Sequence, residues 1–151
     1  MAAYYIIKDE RVKMPESEKE FTMYTDGASR HNPGEAGAGI VVLHGGKLVT
    51  EIARYLGTTT NNVAEYTAAI IGLEYAVREG ASRVILFADS ELLVKQLNGQ
   101  YKVKNEGLKP LYGKAKELIA KIGFVEVKYI PRGINKIADA LANKAIDEKL
   151  A

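Results

Sequence analysis

Tyr24-Thr25-Asp26-Gly27-Ala28-Ser29-Arg30-His31-Asn32-Pro33-Gly34-Glu35-Ala36-Gly37-Ala38-Gly39 sets how the rest of the chain must be arranged. It closes a short apolar alternation of Phe21 and Met23 with an acid and opens a glycine-rich run. Asp-Gly is a strong hairpin signal, but a two-residue hairpin resumes its alternation at once. Here the next clear strand pattern, Ile40-Val41-Val42-Leu43, comes only after Asn32, Pro33 and three further glycines. The expectation is a strand that ends at Asp26 and a glycine loop behind it. That loop would hold its backbone close to something or adopt positive φ. An acid at a strand end beside exposed amides is a candidate metal ligand next to a phosphate-binding loop.

Working outward, the chain of 151 residues is long enough for one domain with a substantial core. With 47% hydrophobic and 26% charged residues it reads as a soluble globular protein. No apolar run reaches membrane-spanning length, so no membrane partner is expected. The amino terminus lacks a signal peptide's apolar core, and a cytoplasmic location is the default. The absence of cysteine excludes disulfides, thiolate zinc sites and a cysteine nucleophile. A net charge of +2 says little about partners, but six lysines stand between Tyr101 and Lys121 against Glu106 and Glu117. Such an excess follows a phosphate backbone or simply solvates a helix face.

Residues 1–19 read as an amino-terminal extension, strand-like or loosely held, and 20–151 as the folded domain. After the glycine loop, residues 37–44 and 47–56 flank Gly45-Gly46 as a hairpin, so the first three strands form an antiparallel meander. A helix starts near Thr58-Asn62 and runs to Glu79-Gly80, with Val63, Tyr66, Ile70, Leu73 and Val77 at helical spacing. The apolar run 83–88 suits a central strand buried on both faces. Helices follow from Ser90 to Asn98 and over about 108–122, then a strand over 124–130 and a helix over 134–148. The order βββαβααβα implies an α/β fold, a mixed five-stranded sheet flanked by helices.

Four acids fall at four junctions. Asp26 and Asp89 end strands, Glu65 lies in the first turn of the first helix, and Asp139 lies in the last helix. Singly, each has a structural explanation. Asn62 and Glu65 fit a capping box, Asp89 can cap the helix after it, and Asp139 can be a solvated helix residue. Jointly they point elsewhere. If the first and fourth strands are parallel neighbours, Asp26 and Asp89 share the crevice at their carboxyl ends. Oxygen donors without cysteine favour Mg²⁺ or Mn²⁺. Clustered carboxylates repel unless cations neutralise them, and two ions roughly 3.5–4 Å apart suit phosphoryl displacement.

Four motifs carry a resemblance. Thr25-Asp26-Gly27-Ala28-Ser29 with Asn32-Pro33-Gly34, Thr60-Asn61-Asn62-Val63-Ala64-Glu65-Tyr66, Phe87-Ala88-Asp89-Ser90 and Ala138-Asp139-Ala140-Leu141-Ala142 resemble, in order, the motifs of type 1 ribonuclease H. The similarity covers about residues 20–148. It implies an endoribonuclease that cuts RNA in an RNA–DNA hybrid, leaving 5′-phosphate ends. Asp26, Glu65, Asp89 and Asp139 would bind two Mg²⁺ ions, with Mn²⁺ as a substitute. The resemblance also implies that the backbone at Gly27 and Ala28 meets RNA 2′-hydroxyls, as does Glu65. Asn32, Thr60 and Asn61 would lie along the DNA strand, Asn62 in the minor groove, and Asn135 against a phosphate. A monomer is expected, and double-stranded RNA stands open as a second substrate.

Three departures qualify the match. The loop Ile130-Pro131-Arg132-Gly133-Ile134-Asn135 lacks the histidine many members carry, leaving Arg132 to contact phosphate without shuttling protons. The basic protrusion is reduced, leaving Tyr101 and nearby lysines for the DNA strand, and Glu91 stands where an amide often reads the minor groove. A catalytically silent binding module and a different nuclease of the same superfold are the rival readings.

Overall fold

The computed structural model describes residues 19–151, so the reading of residues 1–19 as an extension lies, but for its last residue, outside the described residues. The elements are β1 (Glu20–Ser29), β2 (Gly34–His44), β3 (Lys47–Thr59), α1 (Asn61–Arg78), β4 (Arg83–Ala88), α2 (Glu91–Leu97), α3 (Lys109–Ile122), β5 (Phe124–Tyr129) and α4 (Lys136–Glu148). This is the order βββαβααβα. The sheet runs β3-β2-β1-β4-β5. β1, β2 and β3 form an antiparallel meander, while β1, β4 and β5 are parallel. β1 and β4 are thus parallel neighbours, as the crevice required.

The glycines of residues 24–39 do not lie in a loop: only residues 30–33 turn between β1 and β2. β1 continues through Asp26 to Ser29, pairing Asp26 with Gly39, Gly27 with Ala38 and Ala28 with Gly37. None of Gly27, Gly34, Gly37 and Gly39 has positive φ. Their smallness serves close packing instead. A Cβ on Gly27 would sit well under 3.0 Å from the Ala64 backbone of α1. A Cβ on Gly37 or Gly39 would strike the α4 carbonyls of Ala142 or Ala138 at similarly short range. Gly27 shares its face with its cross-strand partner Ala38, whereas Gly37 and Gly39 point the other way. The two helices therefore dock on opposite faces, each at a site cleared of side chains.

The face under α1 holds the core. Phe21, Met23, Ile40, Val42, Val84 and Leu86 are buried there with Tyr66 and Leu73 of α1, each such side chain contributing about 1.5–3 kcal/mol on removal from water. α3 lies beside α1. β4 is buried on one face only: Val84, Leu86 and Ala88 are buried, whereas Arg83, Ile85 and Phe87 are half-buried. The expected two-sided burial fails because that second face is covered there by Phe87 stacked on Tyr24, with ring centroids 5.0 Å apart, rather than by a helix across the whole strand.

Candidate active site

β4 ends at Ala88, opposite Thr25. Beyond that point one flank of β1 has no strand beside it, and the crevice opens there. Asp26 lies on β1 at this opening and Asp89 one residue past β4. Glu65 comes from the fifth position of α1, past the first turn in which the sequence reading set it, and Asp139 from the first turn of α4. One carboxylate oxygen each from Asp26, Glu65 and Asp89 lie within 4.8 Å of one another, and all three residues are buried. Asp139 falls outside that tight triad but lines the same cleft, which has a volume of about 290 Å³.

Local structure frees these acids from capping work. Thr60, not Asn62, is the N-cap of α1, and its hydroxyl accepts from the Val63 N–H at 3.2 Å. The capping-box reading of Glu65 therefore fails. Its Oε1 accepts instead from the Gly27 N–H, at 3.0 Å, on the flank that β4 leaves open. Ser90 caps α2 by accepting from the Leu93 N–H at 3.2 Å, so Asp89 is not needed there. Asp89 Oδ2 accepts from Asn135 Nδ2 at 2.8 Å, while its Oδ1 is buried with no hydrogen bond. Arg132 Nε stands 3.9 Å from that oxygen on a side chain 80% exposed.

Electrostatics follow from this crowding. Burial, then the charges of Glu65 and Asp89 and then Asp139, push Asp26 up from 3.8 to about 9. Burial and then Asp89 push Glu65 up from 4.5 to about 8, against the pull of the Gly27 amide, the Asp26 hydroxyl and Arg132. A cluster that holds protons at neutral pH is one that lacks positive charge. The donors are all carboxylate oxygens, and Asp89 Oδ1 is buried with no hydrogen bond. These residues fit a hard divalent cation.

The other expected contacts divide. Gly27, Ala28, Asn61, Asn62 and Arg132 line the cleft with the acids. Asn32 and Thr60 do not line it but frame its edge. Asn32 Oδ1 accepts from the Asn61 N–H at 3.1 Å, and Asn61 Oδ1 accepts from the Ser29 N–H at 3.0 Å, tying the β1–β2 hairpin to α1. Tyr101 lies away from the cleft, half-exposed, with Lys95 Nζ 4.9 Å from its ring centroid. Asn135 departs from expectation. It is 2% exposed, and both of its amide N–H groups are committed inside the protein. A side chain turned inward in this way cannot lie along a substrate phosphate. Sequence reasoning also passed over Asn143, whose Nδ2 donates to Asp139 O at 3.0 Å; its i+4 spacing from Asp139 was the available signal.

Comparison with known proteins agrees with this geometry. A family described as reverse transcriptase-like matches residues 24–145. A bifunctional protein of Mycobacterium tuberculosis is 42% identical over 124 residues, which is 81% of this chain and 34% of that one. Ribonuclease HI of Halobacterium salinarum is 41% identical over 126 residues, 83% of this chain and 63% of that one. The chain thus spans about a third of the mycobacterial relative and less than two thirds of the halobacterial one. Among solved structures, RNase H1 of Halobacterium salinarum superposes with a TM-score of 0.82 at 40% identity, covering 85% of this chain and 98% of that one. LC11-RNase H1, crystallised with an RNA/DNA hybrid, also gives 0.82 at 40% identity, covering 87% and 99%.

Proposed function

The chain belongs to the type 1 ribonuclease H family, and from that premise we propose that it is an endoribonuclease hydrolysing the RNA strand of RNA–DNA hybrids. The observation that carries the reading is the buried triad of Asp26, Glu65 and Asp89, with ligand oxygens within 4.8 Å and Asp139 beside it.

These four acids would hold two divalent cations, Mg²⁺ or Mn²⁺. Bound there, the cations supply the positive charge that activates a water and steadies the leaving oxygen of an in-line displacement. Water adds its oxygen to phosphorus, the bond from phosphorus to the 3′-oxygen breaks, and the products carry a 5′-phosphate and a 3′-hydroxyl. The protein's own part is placement. The Gly27 N–H fixes Glu65, Asn135 fixes Asp89, and the β1–β4 pairing sets Asp26 beside both.

RNA is chosen through its 2′-hydroxyls, met by the backbone at Gly27 and Ala28 and by Glu65. Asn32, Thr60 and Asn61 follow the DNA strand, Asn62 reaches the minor groove, and Arg132 meets a phosphate. Tyr101 and its neighbouring lysines extend the DNA path. No histidine stands in the loop before α4, so turnover is slow relative to members that have one. Among the described residues no helix is long and apolar enough to cross a membrane, and a monomeric cytoplasmic enzyme is part of the same proposal.

The ends of the products test this chemistry. Fragments with 5′-phosphate and 3′-hydroxyl are expected. A 2′,3′-cyclic phosphate would mean that the RNA's own hydroxyl attacks, and it would overturn the activated-water mechanism.

A further inference from the structure

Asn135 occupies the N-cap of α4, where an asparagine oxygen ordinarily accepts a first-turn N–H. Thr60 and Ser90 do this for α1 and α2. Asn135 makes no such bond. Its side chain turns into the protein, where Nδ2 donates to Thr25 O at 2.9 Å and to Asp89 Oδ2 at 2.8 Å. Both neighbours only accept, so the amide nitrogen must face them. Its Oδ1 is left buried and without a partner.

A forgone cap and an orphaned oxygen are both unfavourable locally. They occur at the residue that joins three acid-bearing elements. One N–H holds Asp89, just past β4. The other holds the Thr25 carbonyl of β1, beside Asp26. Its own carbonyl accepts from the Asp139 N–H at 3.1 Å, in the first turn of α4.

We infer that Asn135 is a positioning residue: it engages Asp89 Oδ2 so that Oδ1 is the oxygen presented to a cation, and it seats α4, with Asp139, against β1. The inference rests on the cation-binding reading above and replaces a phosphate contact as the role of this side chain. Partners that orient ligating groups are worth roughly 10–100-fold in metal affinity.

The test is calorimetric binding of Mn²⁺ alone to wild type and Asn135→Ala, with steady-state cleavage of the hybrid measured beside it. Affinity for Mn²⁺ should fall roughly 10–100-fold. At subsaturating metal kcat should fall in step and recover as Mn²⁺ is raised, while KM for hybrid moves less than about twofold. A raised KM with unchanged Mn²⁺ affinity would mark a phosphate contact and overturn the inference. A lowered Tm with metal affinity and kcat unchanged would mark a purely structural tie and overturn it equally. Wild type that binds no Mn²⁺ would overturn the cation reading and this inference with it, whereas wild-type binding matched by Asn135→Ala overturns this inference alone. Should Asn135→Ala fail to fold, the wild-type Asn135 side-chain amide can be followed by NMR. Slow exchange with solvent and a shift on adding Mg²⁺ are expected; free exchange or no response contradicts the role.

Discussion

The Gly27 N–H donates to Glu65 Oε1 at 3.0 Å, joining the middle of the sheet to the helix that crosses it. The contact needs α1 to lie almost on the backbone of β1, and glycine permits that approach. Gly27→Ala would drive a methyl into the Ala64 and Glu65 backbone, which no rotamer change can relieve. Overpacking of this kind costs about 1–3 kcal/mol or more. Chemical denaturation should register that loss, and hybrid cleavage should fall with it as Glu65 is displaced. A variant with unchanged midpoint and activity would show that α1 has room to spare.

The raised acids predict how the metal-free protein responds to pH. Asp26 and Glu65 keep protons in the fold that the unfolded chain releases near 3.8 and 4.5. Their stabilising share is therefore complete below those values and declines as pH climbs toward about 8 and 9. In EDTA, Tm should drop across that window; Mg²⁺ should restore it most at the alkaline end, with protons released on binding. A flat Tm profile in EDTA would contradict the buried, proton-holding cluster.

Asp26→Asn separates stability from function. Asp26, pushed up to about 9, must take up a proton to fold at pH 8; asparagine needs none, so Tm in EDTA at pH 8 should rise, each kcal/mol gained being worth roughly 2–4 °C in a chain of this size. Hybrid cleavage in Mg²⁺ should fall by more than the roughly 10–100-fold typical of losing an outer partner. Lost activity together with a lowered Tm would indicate structural damage instead.

Arg132 is a surface cation 80% exposed and 3.9 Å from Asp89. Arg132→Ala should leave Tm nearly unchanged, since exposed ion pairs contribute about 0–1 kcal/mol. It should weaken hybrid binding and reduce the salt dependence of binding by roughly one counterion. An unaltered salt slope would remove Arg132 from the phosphate path.

Much of this architecture was legible because periodicity and topology dictate it. Helical spacing from Val63 to Val77 and the apolar run 83–88 gave the element order, and the parallel β1–β4 pairing then brought Asp26 and Asp89 together. What escaped was set by tertiary packing. Glycine and alanine over 27–39 read as a loop because nothing local reveals the helices that require small residues there. The capping box at Asn62 and Glu65 was locally sound, but Thr60 took the cap and Glu65 found Gly27, distant in sequence. The phosphate contact of Asn135 came from the resemblance alone; its burial depends on β1 and β4 meeting α4.

The central claim is tested most directly by incubating end-labelled RNA–DNA hybrid, double-stranded RNA, single-stranded RNA and double-stranded DNA with the protein and with Asp89→Asn, each in Mg²⁺, Mn²⁺ and EDTA. The account predicts internal cuts in the RNA of the hybrid, abolished by EDTA and by the substitution; cuts in double-stranded RNA would widen the substrate range. Hybrid that binds but stays intact under every metal condition would contradict it and leave a catalytically silent nucleic-acid-binding domain.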